Sequence, residues 1–274
     1  VGHMANAIPQ RRILRVFGIL WLVVILLNGS PCFGRPRQAP LEVVREQTGR
    51  AIRSSARGMT DFGLNREEKI LLSKIAQASQ QRDWPAACSA VNTYEGSGTP
   101  IYSAAMHAAF RCREYMLGAQ IWEKCQANCK IIDLPGFTAA IRIFGKLGET
   151  TRVQEIWDDA LKAHELDEVI AAARITAAAD AGDVEAAAQT LDEMASSNVS
   201  INELHINSAI RACWGWGQRQ HKAAKYFFDL LEEFQIRPNV VLFTSLVGAY
   251  RESGLQELLS VYKQMKAFGV EPDP

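Results

Sequence analysis

A repeat of about 35 residues is the feature that most constrains how this sequence can fold. Short polar residues recur 34, 35, 37 and 34 residues apart, at Asp133, Asp167, Asn202, Asn239 and Asp273. Bulky side chains recur in step with them at Trp122, Trp157, Leu191, Phe228 and Tyr262. Glycines follow the same interval at Gly148, Gly182, Gly217 and Gly254. Because these three sets of residues recur at the same interval, the sequence predicts an array of similar structural units.

Each unit has the pattern of a helical hairpin. The chain beyond residue 62 is rich in alanine and contains no long alternation of apolar and polar residues. A glycine in the middle of the unit can end a first helix in the left-handed conformation, and prolines such as Pro238 and Pro272 stop the second. One hairpin cannot bury both of its apolar stripes, but stacked hairpins can. The pattern predicts an all-α, right-handed superhelical solenoid of stacked helix-turn-helix repeats.

The same columns divide the chain into segments. Two leading segments, 1–32 and 33–61, precede a degenerate capping hairpin at 62–98. Five repeats then follow at 99–133, 134–167, 168–202, 203–239 and 240–273. After the last repeat no polar capping helix is visible, which leaves open a longer array or a further catalytic domain.

The first 61 residues have the composition of a targeting leader. Arginines at the start precede a run of twelve apolar residues, 16–27, which suits a signal peptide cleaved between Cys32 and Phe33. Residues 33–60 are rich in arginine and poor in acids, as transit peptides are. This order resembles the bipartite leaders of algae with secondary plastids and predicts delivery to a chloroplast (plastid), without stable membrane association of the mature form. A mitochondrial presequence, a membrane anchor and plain secretion remain alternatives.

Charge and cysteine content restrict the possible chemistry. The 30 basic and 30 acidic residues cancel, but nine arginines lie in the first 61 residues, so the body carries 21 basic and 27 acidic residues. Cys125 and Cys129, four residues apart, could hold half of a metal site, or could pack as small residues within a helix. No second Cys/His pair accompanies them at zinc-like spacing. No metal, cofactor or catalytic residue is predicted.

The period, the closing "G-V-E-P-D" and the apolar opening of each unit resemble the pentatricopeptide repeat. The last unit, 240–273, is the closest match, and unit 203–239 fits with a two-residue insertion. Unit 168–202 has full length but lacks the proline. The two units before it are weaker, and the first has Arg113 where the glycine is expected. The tetratricopeptide repeat has a similar period, but its W-x₂-L-G-x₂-Y opening is absent from every unit.

The resemblance implies a single-stranded RNA partner, with about one base read per repeat by two side chains. These are the fifth residue of the first helix and the last residue of the unit. They pair as Ser103 with Asp133, Thr138 with Asp167, Ala172 with Asn202, Asn207 with Asn239, and Thr244 with Asp273. The implied base order is G, G, unspecified, C or U, and G, because Ala172 cannot form a side-chain hydrogen bond. The implied role is organelle RNA processing, stability, editing or translation, together with other RNA-processing proteins.

Two other interpretations stay open at this point. Asp or Asn just before a helix is also a standard N-cap, and a helical-repeat scaffold could hold a protein partner in the same groove. Phosphate binding would need basic residues in that groove. Those available on predicted first helices are Arg142, Lys146, Arg174, Arg211 and Arg251.

Overall fold

The computed structural model describes residues 64–215 and 220–271. The chain divides into two units, 1–58 and 59–274, and every described residue belongs to the second. The predicted leader segments 1–32 and 33–61 therefore lie outside the described residues, as do Gly217 and Asp273. Within the described ranges, no helix has the length and apolarity needed to cross a membrane.

The described residues form twelve helices and no strand. They pair into six successive hairpins. The first helices are α1 (Arg66–Gln81), α3 (Thr99–Cys112), α5 (Leu134–Leu147), α7 (Glu168–Ala181), α9 (Glu203–Ala212) and α11 (Val240–Ala249). The second helices are α2 (Trp84–Asn92), α4 (Tyr115–Asn128), α6 (Thr150–Ala163), α8 (Val184–Ser196), α10 (Gln220–Glu233) and α12 (Leu255–Ala267).

Local sequence explains where the helices begin. A side-chain oxygen of Asn65 accepts from the backbone N–H of Glu68, and the Glu68 carboxylate accepts from the N–H of Asn65, a reciprocal cap for α1. Prolines near the first position suit α2, α3 and α5, because the missing N–H has no partner there in any helix. These signals fix the register of each hairpin before any packing is considered.

Helix ends follow the predicted glycines in two of the repeats. Gly148 and Gly182 adopt left-handed backbone angles, with φ of 78° and 72°, and end α5 and α7. The same expectation is wrong for the last repeat, since α11 ends at Ala249 and Gly254 instead opens α12. The N–H of Tyr250 lies 3.1 Å from the carbonyl oxygens of both Leu246 and Val247, so the last turn tightens and ends the helix early.

The hairpins stack through their first helices. Each first helix from α1 to α11 packs against the first helix of the next hairpin, and most second helices also contact the next first helix. The bulky column is buried where a following hairpin exists: Trp157 is 0% exposed, whereas Tyr262 in the last hairpin is 41% exposed. Trp122, for example, lies against Phe137 of α5 at 5.6 Å between ring centroids. Stacking therefore aligns the first helices as one continuous row.

Candidate functional site

The five predicted reading positions form a single column on the row of first helices. Each is the fifth residue of its helix, because those helices begin at Thr99, Leu134, Glu168, Glu203 and Val240. We call Ser103, Thr138, Ala172, Asn207 and Thr244 the reader column. The second and ninth residues of each helix lie near the same face, since they are spaced three and four residues from the fifth.

Exposure of the reader column rises along the chain. Ser103 and Thr138 are each 3% exposed. Ala172 and Asn207 are half-buried, and Thr244 is exposed. The Thr138 hydroxyl donates to the Leu134 carbonyl at 2.9 Å, within its own helix. Only the later members of the column are open to a ligand.

The last residues of four repeats cap the helices that follow them. Asp133 Oδ1 accepts from the N–H of Gly136 at 2.9 Å, and Asp167 Oδ1 accepts from the N–H of Ile170 at 2.8 Å. Asn202 and Asn239 cap α9 and α11 in the same way, with side-chain oxygens at 3.0 Å from the N–H groups of the helices. Capping occupies one oxygen of each side chain, so an Asp keeps a free acceptor and an Asn keeps its amide donor.

Both asparagine caps also contact the glutamate that opens the repeat they close. Asn202 Nδ2 donates to Glu168 Oε1 at 2.5 Å, and Asn239 Nδ2 donates to Glu203 Oε2 at 2.9 Å. Each glutamate is the first residue of its helix. The two contacts fix the orientation of each carboxamide, because its oxygen is already committed to the cap. Sequence reasoning missed these glutamates, although the acidic first residue of two consecutive repeats was a visible signal.

Of the four predicted pairs that lie within the described residues, one meets directly. Ser103 Oγ lies 2.6 Å from Asp133 Oδ1. Burial raises the pKa of Asp133, and the hydrogen bonds from Ser103 and Gly136 act in the opposite direction. Between the members of the next three pairs, the described part of the chain shows no hydrogen bond. The fourth-repeat reader, Asn207, instead accepts from Ser245 Oγ at 2.6 Å.

An exposed aliphatic stripe accompanies the open readers. The second residues of α7, α9 and α11 are Val169, Leu204 and Val241, which are 45%, 45% and 43% exposed. The corresponding residues of α3 and α5 are Pro100 and Pro135. Large apolar side chains repeated at one helix position and left in contact with water favour a binding surface over random exposure.

Basic side chains lie on the same face in the earlier repeats. His107 and Arg142 are the ninth residues of α3 and α5, which pack against each other, and Arg111 follows one turn after His107. Burial, followed by the charges of Arg142 and Arg111, lowers the pKa of His107 to about 4. Within residues 64–215 and 220–271, neither arginine has an ion-pair partner. Lys146 does have one, Asp180 of α7, at 2.6 Å.

Two of the basic residues expected in the groove are not there. Arg174 has a side chain only 1% exposed, forms an ion pair with Glu193 at 3.1 Å and lies over the Trp157 ring at 4.5 Å. It is the seventh residue of α7 and therefore faces α6 and α8 rather than the reader column. Arg251 follows the end of α11 instead of lying on it.

The cysteine pair lies at the end of α4. Cys125 and Cys129 are buried, and Cys129 Sγ lies 3.5 Å from the Ser97 carbonyl oxygen. Burial raises the pKa of Cys125, which keeps the thiol protonated. In the part of the chain that the structure describes, no group of three or more His, Cys, Asp or Glu residues is arranged to hold a metal ion.

Comparisons with known proteins agree with the helical geometry. A family model described as the pentatricopeptide repeat domain matches residues 191–253. The search of curated protein sequences gave no match. Among solved structures, the pentatricopeptide repeat protein PPR10 from maize matches with a TM-score of 0.54 and 20% identity, over 98% of this chain and 40% of that one. PPR10 in complex with an 18-nt psaJ RNA element matches with a TM-score of 0.54 and 17% identity, over 84% and 39%. The chain thus spans about two fifths of the length of these structures.

Proposed function

We propose that this chain, whose residues 191–253 match the pentatricopeptide repeat domain, binds single-stranded RNA along its reader column. One observation carries the proposal: exposed aliphatic side chains at the second position coincide with open readers at the fifth position in α7, α9 and α11. A base needs two things from a protein, an apolar surface for its faces and polar groups for its edge. The last two hairpins offer both, with Leu204 beside Asn207 and Val241 beside Thr244, whereas the hairpin of α7 offers the apolar side chain Val169 beside Ala172.

The aliphatic stripe supplies the faces. Val169, Leu204 and Val241 lie on successive first helices, so a base placed between two of them would contact an apolar side chain on each side. Unstacked bases in single strands are accessible to such contacts, whereas bases in a duplex are not. This arrangement favours single-stranded over double-stranded nucleic acid.

The caps and readers supply the edges. We number the slots for bases after the repeats, so that the fourth slot belongs to 203–239 and the fifth to 240–273. In the fourth slot, Asn207 presents amide N–H donors and Asn239 keeps one, since its other N–H donates to Glu203. In the fifth slot, the exposed Thr244 hydroxyl donates to the Val240 carbonyl and offers its oxygen as an acceptor. Ser103 and Thr138 are buried, unlike Thr244, so we assign them a small part in choosing a base. The implied order G, G, unspecified, C or U, and G is therefore expected to be strict only towards its end.

The earlier hairpins supply charge. Arg111 and Arg142 lie on the same face with no acidic partner among the described residues, as an RNA phosphate would require. This local positive charge can attract RNA phosphates although the body has a net negative charge, because charges further away than about one Debye length are screened by salt. We assign no catalytic step to the chain.

A direct binding measurement tests the proposal. The full chain is titrated into fluorescein-labelled single-stranded RNA, single-stranded DNA and duplex RNA of one sequence, at several salt concentrations. We expect binding to the single strand that weakens with salt, and a loss of about fivefold for Thr244→Ala, equivalent to about one hydrogen bond. Thr151→Ala, on the exposed start of α6, is the matched control and should bind normally.

The competing function is a scaffold that holds a protein partner, because the same aliphatic stripe would also accept an apolar peptide. No detectable RNA binding, together with a stable complex with a protein, would support that alternative.

The cellular setting remains part of the proposal. We propose a plastid location from the composition of residues 1–61, with the mitochondrion as alternative, and a role in processing, stability, editing or translation of RNA there. A fluorescent fusion to the full chain tests the location. Co-localisation with neither organelle would overturn this part alone.

A further inference from the structure

The third slot, formed by the repeat 168–202, lacks a polar reader because its fifth residue is Ala172. Its other member, Asn202, is held by Glu168 and by the N–H groups of α9. The neighbouring helices show which side chain stands closest to the missing reader.

The fourth slot shows which residues adjoin at such an interface. Ser245 is the sixth residue of α11, and its hydroxyl lies 2.6 Å from Asn207, the fifth residue of α9. The sixth residue of one first helix therefore contacts the fifth residue of the preceding one. Ser245 is only 4% exposed, in part because the Asn207 carboxamide covers it.

The interface between α7 and α9 has the same register. At both interfaces the capping asparagine of the later helix donates to the first residue of the earlier one, Asn202 to Glu168 and Asn239 to Glu203. Because the helices start in equivalent register and pack side by side, positions one turn further on also correspond. The residue equivalent to Ser245 is Ser208, the sixth residue of α9, and its neighbour is Ala172.

Ser208 differs from the other hydroxyl groups of this face. Ser103, Thr138, Thr176, Thr244 and Ser245 each have an intramolecular acceptor. Ser208 has no hydrogen-bond partner among residues 64–215 and 220–271. It is also half-buried where Ser245 is buried, as expected if the methyl group of Ala172 covers less of it than a carboxamide does.

We propose that Ser208 is the base-selecting residue of the third slot and supplies the polar group that Ala172 lacks. The inference rests on the proposed RNA-binding function and extends it, since that slot had no assigned preference. A serine hydroxyl can donate to, or accept from, the edge of a base, whereas an alanine methyl can do neither. One repeat is then read by a residue of its C-terminal neighbour.

The test is a selection with the full chain and a pool of short RNAs randomised at consecutive positions. The base whose preference changes in Asn207→Ala marks the fourth slot, and the change in Thr244→Ala marks the fifth. The third slot adjoins the fourth slot on the side opposite to the fifth. We expect wild-type protein to prefer certain bases there by about three- to tenfold, the range of a net hydrogen bond.

Variants at Ser208 decide the outcome. Ser208→Ala should abolish the third-slot preference and leave the fourth and fifth unchanged, and Ser208→Thr, which keeps the hydroxyl, should retain it. Ser260→Ala, an identical change on exposed α12, should alter nothing. A third-slot preference that survives Ser208→Ala, or its absence from wild-type protein that selects at other slots, overturns the inference alone. Failure to retain any RNA overturns the proposed function with it.

Discussion

The repeats before and after residue 168 use the same helical positions differently. In the front hairpins, α3 to α6, the readers Ser103 and Thr138 are buried, and the second residues of the first helices are prolines. In the back hairpins, α7 to α12, the second residues are exposed aliphatics and Thr244 is open. Among the described residues, Arg111 and Arg142 at the front have no acidic partner, whereas Arg211, the ninth residue of α9, lies over the Trp214 ring at 5.8 Å. We propose that the two regions contribute differently to RNA binding, with phosphate contacts towards the front and base contacts towards the back.

The largest expected effect lies at the boundary between the two regions. Arg174→Ala should lower the free energy of unfolding by about 3 kcal/mol, because it removes a buried cation that contacts α6 and α8 and leaves Glu193 without its partner. Urea denaturation followed by circular dichroism measures the change. Lys162→Ala breaks the exposed pair with Asp159 and should cost less than about 0.5 kcal/mol. Equal losses in the two variants would contradict the buried role of Arg174.

Removing two polar groups from each region tests the comparison directly. Asn207→Ala with Thr244→Ala should weaken RNA binding about tenfold or more, since both side chains are accessible. Ser103→Ala with Thr138→Ala should change RNA affinity less than about twofold and instead lower stability by about 1 kcal/mol, because the bond to Asp133 is lost. Fluorescence anisotropy and urea titration give the two readouts. The reverse order of RNA affinities would refute the division.

Acid should affect the contributions of His107 and Asp192 to stability in opposite directions. His107 has a pKa lowered to about 4 from an ordinary 6.5, so below pH 6.5 the unfolded chain binds a proton that the folded chain does not, and stability falls. Burial, and then the charge of Glu193, raises the pKa of Asp192 to about 6 from 3.8, so its carboxyl is protonated earlier in the folded chain, and stability rises as pH falls through 6.

Substitutions separate the two contributions. Compared with wild type, His107→Gln should raise the free energy of unfolding by about 1 kcal/mol at pH 4.5 and change it little at pH 7, since an amide does not titrate. Asp192→Asn should raise the free energy of unfolding by about 1 kcal/mol at pH 7 and change it little at pH 4.5. The gain at pH 7 is kept to this size because the side chain is partly exposed to solvent. Urea midpoints at the two pH values measure both. Gains that do not depend on pH would show that these groups do not titrate as described.

The smallest expected effect concerns the turns that end the first helices. Arg113 adopts a left-handed φ of 65° where Gly148 adopts 78° in the next hairpin. Arg113→Gly should stabilise the protein by about 1 kcal/mol, because glycine adopts this conformation without a steric penalty. Gly148→Ala should lower the free energy of unfolding by about as much. A Cβ added at Gly148 would have no neighbouring atom within 4 Å, so this variant tests backbone strain alone. A shift of the urea midpoint in the same direction for both would contradict this explanation.

The helical repeat was predictable from sequence because period, glycine and proline signals all reflect local backbone rules. The structure confirms the all-α solenoid, with α5, α7, α9 and α11 each beginning one residue after a capping side chain. Which way a long side chain points was not predictable. Arg174 and Arg142 carry the same charge, but Arg174 is the seventh residue of its helix and Arg142 is the ninth. That difference of two positions places Arg174 in the interior, against Trp157.

Contacts between repeats were also beyond the sequence pattern. The spacing paired Ser103 with Asp133, which do meet, but it could not show that Asn207 would meet Ser245. Asn207 and Ser245 are 38 residues apart, and their contact depends on the register between two helices, which the period of a single repeat does not specify. The roles of the reader column as a whole stay a prediction.

Crosslinking of the full chain to RNA containing 4-thiouridine, followed by mass spectrometry of the crosslinked peptides, tests the central claim most directly. If RNA lies along the open readers, crosslinks should map to the beginnings of α7, α9 and α11, around Val169, Leu204 and Val241. Crosslinks confined to the second helices, or the absence of any crosslink at protein and RNA concentrations that give binding, would contradict it.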